Sequence, residues 1–459
     1  MRGFSADLHE VSRRAFRMVR RFAADEDGSI LAYVIVMFVT MVIAAGSAVD
    51  FMRHEFVRAK LQDGLDRGVL AAASFRQSVA AQNTVQGYLS TIELPEQAAV
   101  TVTETMGPTA RRVSAQASLQ IRTFFLKIIG IPTMTVQAAG AAEESLQKLE
   151  ISLILDISGS MARNNRMVNL KPAASDFIDE VLTPNTREYV SVSLVPFSGQ
   201  VNPGSYFFNH FNSNRVHDYS SCLEFQPSDF NTTALTNAPN SLAQTPHFQW
   251  FYFEQPTAVW GWCPTDDMAL IPFSNDNAVL KAKINSFHPH DGTGTQYGMK
   301  WGLALLDPGT QTHISTLSAQ GAVPNIFSDR PAAWDDPESK KYIVIMTDGN
   351  VRYQRRPKSK YYRNSSHYSY WAQHYLGSHY SYQYTAEDDA TNMFLDMCNM
   401  AKQNGVTIFT IGFEVAPEAA NEMTQCATSP SHFYLVDGLD IHSAFQSIAT
   451  TIHKLKLVN

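Results

Sequence analysis

The stretch Leu149–Met161 reads LEISLILDISGSM, and it decides the fold of the larger part of the chain. A run rich in apolar and β-branched residues leads to one carboxylate, Asp156, and two serines follow at Ser158 and Ser160. A short run of this kind is typical of a strand that is buried on both faces of a parallel sheet. Such sheets bind ligands at the carboxyl ends of their strands. We therefore expect these three oxygen-bearing side chains at a ligand-binding edge.

The chain from residue 147 to residue 459 repeats this strand signal in alternation with helical patterns. Strands are predicted at 150–155, 190–196, 269–273, 342–346, 406–411 and 432–436. Helices are predicted at 167–182, 297–306, 386–404, 417–426 and 441–454. Apolar strands separated by helices indicate the α/β class, with a doubly wound, mainly parallel sheet.

Two further loops place oxygen atoms at the same edge of the sheet. In DGTGTQYG, Thr293 stands between a strand and a helix, and in YIVIMTDGN, Asp348 follows the fourth core strand. Oxygen ligands without His or Cys favour a hard cation, and we expect Mg²⁺, with Mn²⁺ or Ca²⁺ as alternatives. Taken alone, the pentad at 156–160 leaves a structural role open, because Asp and Ser are common in turns and helix caps.

The predicted site suits binding better than catalysis. A cation held largely by neutral hydroxyls keeps much of its positive charge, so we expect it to take an acidic residue of a protein partner. A phosphotransferase of the haloacid dehalogenase type also begins with an aspartate after a first strand, but it needs a second carboxylate where Ser158 stands. The sequence shows no Ser/His/Asp order or CxxH pattern of the kind that indicates catalysis. We predict that the chain is not an enzyme.

The chain carries one predicted membrane helix, at residues 28–49. This segment has no charged residue, and its length is enough to span a hydrocarbon core of about 30 Å. A cleaved signal peptide is the alternative, although the apolar core of a signal peptide is only about 7 to 15 residues long. Residues 1–27 would form a cytoplasmic tail, but basic residues on both sides of the span give only a slight orientation bias.

Residues 50–146 predict a small module of one helix and a few antiparallel strands, either pilin-like or a simple stalk. An apolar residue recurs at every fourth position from Val57 to Val69, which predicts that the helix continues beyond the span. Period-two alternation in RVSAQASLQIR, residues 112–122, predicts a strand. Neighbouring strands are expected from Val100 and at 133–138.

Composition and cysteine usage narrow the class of protein. The 459 residues are 44% hydrophobic, and the net charge of −7 offers no basic surface for nucleic acid. All four cysteines follow the span without a CxxC pair, which favours two disulfides in an oxidising compartment. Of the three possible pairings we predict Cys398 with Cys426, which brackets one strand. Cys222 would then pair with Cys263 inside one insertion, and free buried thiols are the alternative.

The DISGS pentad, the threonine of DGTGT and the aspartate of TDG resemble the metal-ion-dependent adhesion site of von Willebrand factor A domains. The resemblance covers residues 147–459. It implies that Ser158 and Ser160 bind the metal directly and that Thr293 does so in the ligand-competent state. Asp156 and Asp348 would act mainly through bound water.

Two departures from that pattern concern the charge of the site and access to it. Asp291 stands where a small residue is usual, and long insertions occupy about 198–267 and 349–385. Tyr, Trp and Arg in both insertions suit contact with a partner. For the first insertion, a satellite core of Trp250, Phe251, Trp260 and Trp262 is an equal alternative. We expect the second insertion to be a partly ordered binding loop, with nucleotide or glycan stacking as a lesser alternative.

The N-terminal half resembles a second family. EDGSILAYVIVMF at 26–38 and LQDGLDRGVLAAA at 61–73 are similar to TadE/TadG-like proteins of bacterial tight-adherence (Flp) pilus assembly. The segment CNMAKQNGVTIFTIGF at 398–413 resembles the terminal segment of TadG-type members. The resemblance implies a single-pass protein of the bacterial inner membrane, with its C-terminal domain in the periplasm and pilus-assembly components as partners.

These patterns together predict a membrane-anchored assembly or scaffold factor for an adhesive pilus, which binds a partner through its metal site. The main alternative is an adhesin or sensor that uses the same site for an extracellular or cell-wall ligand. A metal-dependent enzyme is the third alternative.

Overall fold

The computed structural model describes residues 29–74, 77–106, 110–145, 147–211, 214–235, 242–251 and 259–455. Contacts divide the chain into two units, residues 1–145 and 146–459. The division falls beside the domain boundary predicted between residues 146 and 147. The predicted cytoplasmic tail, residues 1–27, lies outside the described residues.

The first unit is built on one long helix, α1, at Ser29–Ala73. Among the described residues it is the one helix long and apolar enough to cross a membrane. The side chains from Ile30 to Val42 are all exposed, as expected for a surface that lipid would cover. The helix does not stop at residue 49, where the predicted span ends, but continues to Ala73, as the apolar stripe beyond the span predicts.

The second half of α1 carries that stripe into a hydrophobic core. The stripe residues Val57, Leu61, Leu65 and Val69 are each at most 8% exposed. They belong to one core with residues of an antiparallel sheet in the order β1-β2-β3. The strands are β1 (Ala99–Met106), β2 (Ala110–Arg122) and β3 (Thr133–Ser145).

Two features of this unit differ from the sequence prediction. Strand β3 extends beyond residue 138 to Ser145, because it pairs with β2 along the whole length of that strand. Helix α2, Ala81–Ser90, was not predicted. Its sequence AQNTVQGYLS offers few large apolar residues, and Val85 and Leu89 are buried only because the core of α1 and the sheet receives them.

The second unit contains the six-stranded sheet. Its strands are β4 (Lys148–Asp156), β5 (Val190–Phe197), β6 (Ile271–Ser274), β7 (Ser339–Thr347), β10 (Thr407–Phe413) and β11 (Phe433–Val436). The order is β11-β10-β7-β4-β5-β6, and all neighbours are parallel except β6, which is antiparallel to β5. The predicted α/β class and mainly parallel sheet are confirmed.

Helices cover both faces of this sheet. They are α3 (Arg166–Val181), α4 (Gly204–Phe211), α5 (Asn277–Ser286), α6 (Thr295–Ala304), α7 (Gln311–Ala319), α9 (Glu387–Gln403), α10 (Pro417–Cys426) and α11 (Asp440–Leu455). Along β7, Ile343 and Ile345 enter one hydrophobic core, whereas Val344 and Met346 enter the other. The sheet is therefore doubly wound, as expected of a strand sequence that is apolar on both faces.

Both predicted disulfides are present in the second unit. Cys398 pairs with Cys426, which joins α9 to α10, and Cys222 pairs with Cys263 within the first insertion. The alternative of free thiols is therefore excluded for the four cysteines in this structure.

The first insertion packs its tryptophans inward. Trp250, Trp260 and Trp262 are each at most 8% exposed. Trp250 and Trp262 belong to one buried cluster, as the satellite-core alternative expects, whereas Trp260 lies outside that cluster and lines a cleft. Phe251 stacks on Trp262 with the ring centres 6.4 Å apart, but it is 43% exposed and lines the same cleft, so it is not part of the buried cluster.

The prediction of a partly ordered loop for the second insertion is wrong. Its chain forms a hairpin of β8 (Gln354–Pro357) and β9 (Ser381–Thr385) around a short helix, α8 (Ser365–Trp371). Trp371 and Leu376 share one buried cluster with the first insertion. The second insertion has few aliphatic residues of its own, but it buries aromatic and polar side chains against the first.

A buried ion pair joins the two insertions. The Arg356 guanidinium donates to both carboxylate oxygens of Glu224, at 2.5 and 2.6 Å, and the two residues are 3% and 8% exposed. Tyr297 of α6 donates to the same carboxylate at 3.3 Å. The pair therefore connects both insertions to a core helix.

We predict that Arg356→Met lowers the free energy of unfolding of the second unit by about 3–5 kcal/mol, because it leaves Glu224 buried without its cation. The double variant Glu224→Leu/Arg356→Met should recover much of that loss, since it removes both charges together. Denaturant unfolding followed by near-ultraviolet circular dichroism measures both. Equal unfolding midpoints for the wild type and Arg356→Met would contradict the prediction.

Candidate functional site

The first predicted site residue, Asp156, fixes the carboxyl ends of two neighbouring strands. It is the last residue of β4 and is fully buried. One carboxylate oxygen accepts a hydrogen bond from the Ser158 backbone at 2.7 Å, and the other accepts from the Thr347 hydroxyl at 2.6 Å. Burial, and then the nearby charge of Asp348, raise the pKa of Asp156 to about 7. The two carboxylate oxygens therefore hold the loop after β4 against the end of β7.

Beside Asp156, three oxygen atoms form a short chain. The Ser158 and Ser160 hydroxyl oxygens lie 3.0 Å apart, and the Ser160 hydroxyl donates to Asp348 at 2.6 Å. The Gly159–Ala162 turn of 3-10 helix directs the second serine towards the end of β7. Burial raises the pKa of Asp348 as well. The structure thus brings Ser158, Ser160 and Asp348 together as the sequence predicts.

The fifth predicted residue, Thr293, arrives on a loop that runs alongside the first. The His290 backbone donates to the Ile157 carbonyl at 2.8 Å, and Ser158 and His290 form an isolated parallel bridge. Thr293 lines the same cleft as Ser160 and Asp348. Asp156 and Ser158 are at most 1% exposed and lie beneath that surface.

The site contains two charged residues, Arg166 and Glu414, that the sequence patterns do not predict. Arg166 donates to the second oxygen of Asp348 at 2.6 Å and to Glu414 at 2.9 Å. Glu414 follows the carboxyl end of β10, so the rule that found Asp348 also applies to it. No sequence pattern pairs Arg166 with carboxylates that lie 182 and 248 positions away.

Asp291, the residue that departs from the usual pattern, ties the site to the first insertion. Its buried carboxylate accepts from the Trp250 backbone and from the Phe251 backbone, the latter at 3.0 Å. Burial raises the pKa of Asp291 to about 7. Because these backbone amides occupy the carboxylate, its effect is to hold the aromatic segment over the site loop.

The site opens into a cleft of about 630 Å³, a size typical of ligand pockets. The first insertion lines it with Phe251 and Trp260, the turn after β4 adds Arg163, and the second insertion adds Arg352. Aromatic rings and guanidinium groups thus surround the hydroxyl and carboxylate oxygens. These are the side chains that dominate binding energy at protein interfaces.

The oxygen spacing suits a small divalent cation. Adjacent ligands of an octahedral ion with metal–oxygen distances of about 2.1 Å lie about 3 Å apart. The serine hydroxyls have that separation, 3.0 Å, whereas the 2.6 Å contact between Ser160 and Asp348 is a hydrogen bond. Within the described part of the chain, no group of three or more His, Cys, Asp or Glu side chains could hold a metal. A metal here would depend on hydroxyl ligands.

Comparison with known proteins finds one family model that matches the N-terminal segment. Residues 28–77 match the family model described as putative Flp pilus-assembly TadE/G-like. This match supports a pilus-related role for the chain. No curated protein matches the sequence.

Several solved structures resemble the chain at low scores. The von Willebrand factor domain of the type V pili tip protein Mfa5 from Porphyromonas gingivalis is 17% identical, with a TM-score of 0.37, and the match covers 67% of this chain and 96% of that one. The PilB minor pilin from Streptococcus sanguinis is 11% identical, with a TM-score of 0.34 and 78% of each chain covered. The adhesive tip pilin GBS104 from Group B Streptococcus agalactiae is 14% identical, with a TM-score of 0.35, and the match covers 67% of this chain and 100% of that one.

We predict that Arg166→Met lowers the free energy of unfolding by roughly 1–3 kcal/mol in the presence of a chelator. The variant leaves Asp348 and Glu414 without their shared cation, and the partial exposure of Glu414 keeps the loss below that of a fully buried pair. Denaturant unfolding measures the change. Arg163→Met is the matched control, because Arg163 is exposed in the same turn and its loss should change stability by less than about 0.5 kcal/mol. Equal effects of the two variants would contradict the prediction.

Proposed function

We propose that this chain is a non-enzymatic, membrane-anchored assembly or scaffold factor of a pilus, which binds a protein partner through a divalent cation. The observation that carries the proposal is the chain of oxygen atoms from Ser158, Ser160 and Asp348 at the carboxyl edge of the large sheet. The family match of residues 28–77 supports the pilus context.

The second unit is proposed to be a domain of the von Willebrand factor A type. Its central strand β4 is followed by the DISGS pentad, and its edge strand β6 alone runs antiparallel. The loop after β7 brings Asp348 to the carboxyl edge of the sheet. Thr293 reaches the same cleft on the loop between α5 and α6, rather than on the strand-to-helix loop that the sequence predicts. This strand order and the placement of the loops support the assignment.

Mg²⁺ is the proposed ion, with Mn²⁺ or Ca²⁺ as alternatives, because all the candidate ligands are oxygens. Ser158 and Ser160 would bind it directly, and Thr293 would join them when a partner is bound. Asp348 would act mainly through water, and Asp156 would hold the serine loop in place through the Ser158 amide. Once bound, the ion supplies positive charge for an acidic residue of the partner.

The cleft around the site suits a protein partner. Arg163 and Arg352 would attract an acidic segment, while Phe251 and Trp260 offer apolar contact area beside it. Pilus-assembly components are the partners that the family match favours.

The alternative function is an adhesin or sensor that binds an extracellular or cell-wall ligand at the same site. The observation that favours it is the half-exposed ring of Phe251 at the mouth of the cleft, since a sugar ring packs well on an aromatic side chain.

The proposed location is the bacterial inner membrane, with α1 as a single-pass anchor and the second unit in the periplasm. The apolar, exposed N-terminal half of α1 supports the anchor. The two disulfides support an oxidising compartment for the second unit.

We predict that the full-length protein binds Mg²⁺ and that Ser158→Ala/Ser160→Ala lowers the affinity at least about tenfold. Loss even of a group outside the first ligand shell of a metal typically costs 10–100-fold in affinity. Isothermal titration calorimetry measures both proteins, and circular dichroism should show the same fold, because the change removes little volume.

The matched control is Ser429→Ala/Ser431→Ala. These two hydroxyls also stand two residues apart with their oxygens at 2.8 Å, but they are exposed and lie beyond α10. The control should bind Mg²⁺ like the wild type. Undetectable binding of Mg²⁺, Mn²⁺ and Ca²⁺ by the wild type, or equal loss in both double variants, would refute the site.

The topology is tested with a single added thiol, Leu439→Cys, at a position 71% exposed before α11. The native cysteines are all in disulfides, so only the new thiol should react with a maleimide. A membrane-impermeant maleimide should label this variant in intact spheroplasts as strongly as after lysis. Labelling that requires lysis would place the second unit in the cytoplasm.

A further inference from the structure

The loop between β2 and β3, residues 123–132, has an apolar surface that is not part of the hydrophobic core of the first unit. It reads TFFLKIIGIP, and its exposed apolar side chains are Phe124 (54%), Ile128 (59%), Ile129 (53%) and Ile131 (44%). Four large apolar side chains on one short loop form a surface that water solvates poorly.

The loop is fixed to α1 by a buried carboxylate. Asp50 is 1% exposed, and its two oxygens accept hydrogen bonds from three successive backbone amides, of Phe124, Phe125 and Leu126, at 2.8–2.9 Å. Above this contact the Phe125 ring lies against Gly46, where any added side chain would collide with it. The glycine and the aspartate therefore set the height of the loop along the helix.

That height coincides with the end of the uncharged segment. Asp50 is the first charged residue after the run that begins at residue 28, and Gly46 lies within the run. The loop thus stands beside the last turn of the proposed membrane span. The opposite end of the sheet is far away: Arg111, which pairs with Met106, donates to the Ser74 carbonyl at 2.7 Å, beyond the end of α1. Along the helix, Asp50 and residue 74 are separated by about 36 Å.

The backbone amides of the loop are largely hydrogen-bonded, which suits an apolar environment. Besides the three amides taken by Asp50, the amides of Ile128, Gly130 and Ile131 donate to carbonyls within the loop. The Thr123 amide and hydroxyl donate to Pro132 and Ile131. Unpaired backbone groups are the main cost of entering a bilayer, and these pairings reduce it.

Cations surround the apolar surface at the level expected for lipid headgroups. The Arg53 guanidinium lies 4.1 Å from the centre of the Phe124 ring, and Arg122 and Lys127 are exposed at the two sides of the loop. Long basic side chains next to an apolar surface reach the anionic headgroup layer. The neighbouring acidic group, Asp50, is buried and occupied by amides.

We propose that the β2–β3 loop inserts into the bilayer at the C-terminal end of the span, with Phe124, Ile128, Ile129 and Ile131 among the acyl chains. The occupant of this surface is lipid, because the surface continues the exposed apolar face of α1 at the same height. A second contact of this kind holds the helix and its sheet in one orientation to the membrane. The inference rests on the proposed anchoring of α1.

Three variants of the full-length protein test the proposal, each with one added cysteine besides the four in disulfides. The added thiol is labelled with the fluorophore NBD, and the protein is placed in phosphatidylcholine/phosphatidylglycerol nanodiscs. Ile128→Cys reports on the loop, Met41→Cys on the span, and Met106→Cys on the far end of the sheet. All three positions are more than half exposed, so a label is tolerated. Lipids carrying a nitroxide quench probes in the bilayer, and aqueous Co²⁺ quenches probes in water.

We expect Ile128→Cys to be blue-shifted and quenched by a nitroxide placed near the headgroup, and Met41→Cys to be quenched by one deep in the acyl chains. Met106→Cys should respond only to Co²⁺. In the Ile129→Asp background, the Ile128→Cys probe should shift towards water, while circular dichroism remains unchanged.

Lipid quenching at Met41→Cys with only Co²⁺ quenching at Ile128→Cys would overturn the loop proposal and leave the anchor intact. A probe at Ile128→Cys shielded from both quenchers would also overturn it, since a protein surface would then cover the loop. No lipid quenching at Met41→Cys would refute the anchor and, with it, the inference.

Discussion

The carboxylate of Asp156 is the interaction on which the proposed site depends. It is fully buried, and it holds the first turn after β4 through the Ser158 amide and the end of β7 through the Thr347 hydroxyl. A buried acceptor that lost either partner would carry a desolvation cost of about 1–3 kcal/mol, so the two loops are held in register by the need to satisfy it. In that register the Ser160 hydroxyl donates to Asp348, and the Ser158 hydroxyl lies 3.0 Å from that of Ser160. The parallel sheet places the strand ends at one edge, and the hydrogen bonds of Asp156 fix the positions of the oxygen atoms there.

Access to the edge is determined by the two insertions, which act as one structure. Asp291 binds the backbone of the first insertion, and the Arg356–Glu224 pair joins the second insertion to it. Because the Arg356–Glu224 pair is buried, either insertion alone would leave an unpaired charge in the core. The cleft wall made by Phe251 and Trp260 is therefore supported from both sides. A binding surface on a support of this kind loses little conformational freedom when a partner arrives.

Much of the fold follows from periodicity. The apolar stripe from Val57 to Val69 and the six apolar strands are local signals, and all of them correspond to observed elements. The oxygen cluster was also predictable, since strand ends on one edge of a sheet must meet there. The role of Arg166 and the ordered structure of the second insertion could not be predicted from the sequence. Both depend on partners more than a hundred residues away in the sequence, and aromatic or charged side chains that are buried by such partners look like surface residues in the sequence alone.

Arg166 also bears on how strongly the site would hold a cation. Burial raises the pKa of both Asp156 and Asp348, and the two carboxylates lie close together. Without an ion, the site therefore favours either a proton on one carboxylate or a positively charged side chain beside it. Arg166 provides that charge to Asp348 through a contact of 2.6 Å. A divalent ion beside Asp348 would compete with the Arg166 guanidinium for that carboxylate. The ion would therefore bind less favourably than at a site without the guanidinium. The guanidinium also contacts Glu414 at the rim of the cleft. A movement of Arg166 on metal binding would therefore change the contact with Glu414 at the cleft that is proposed to bind a partner.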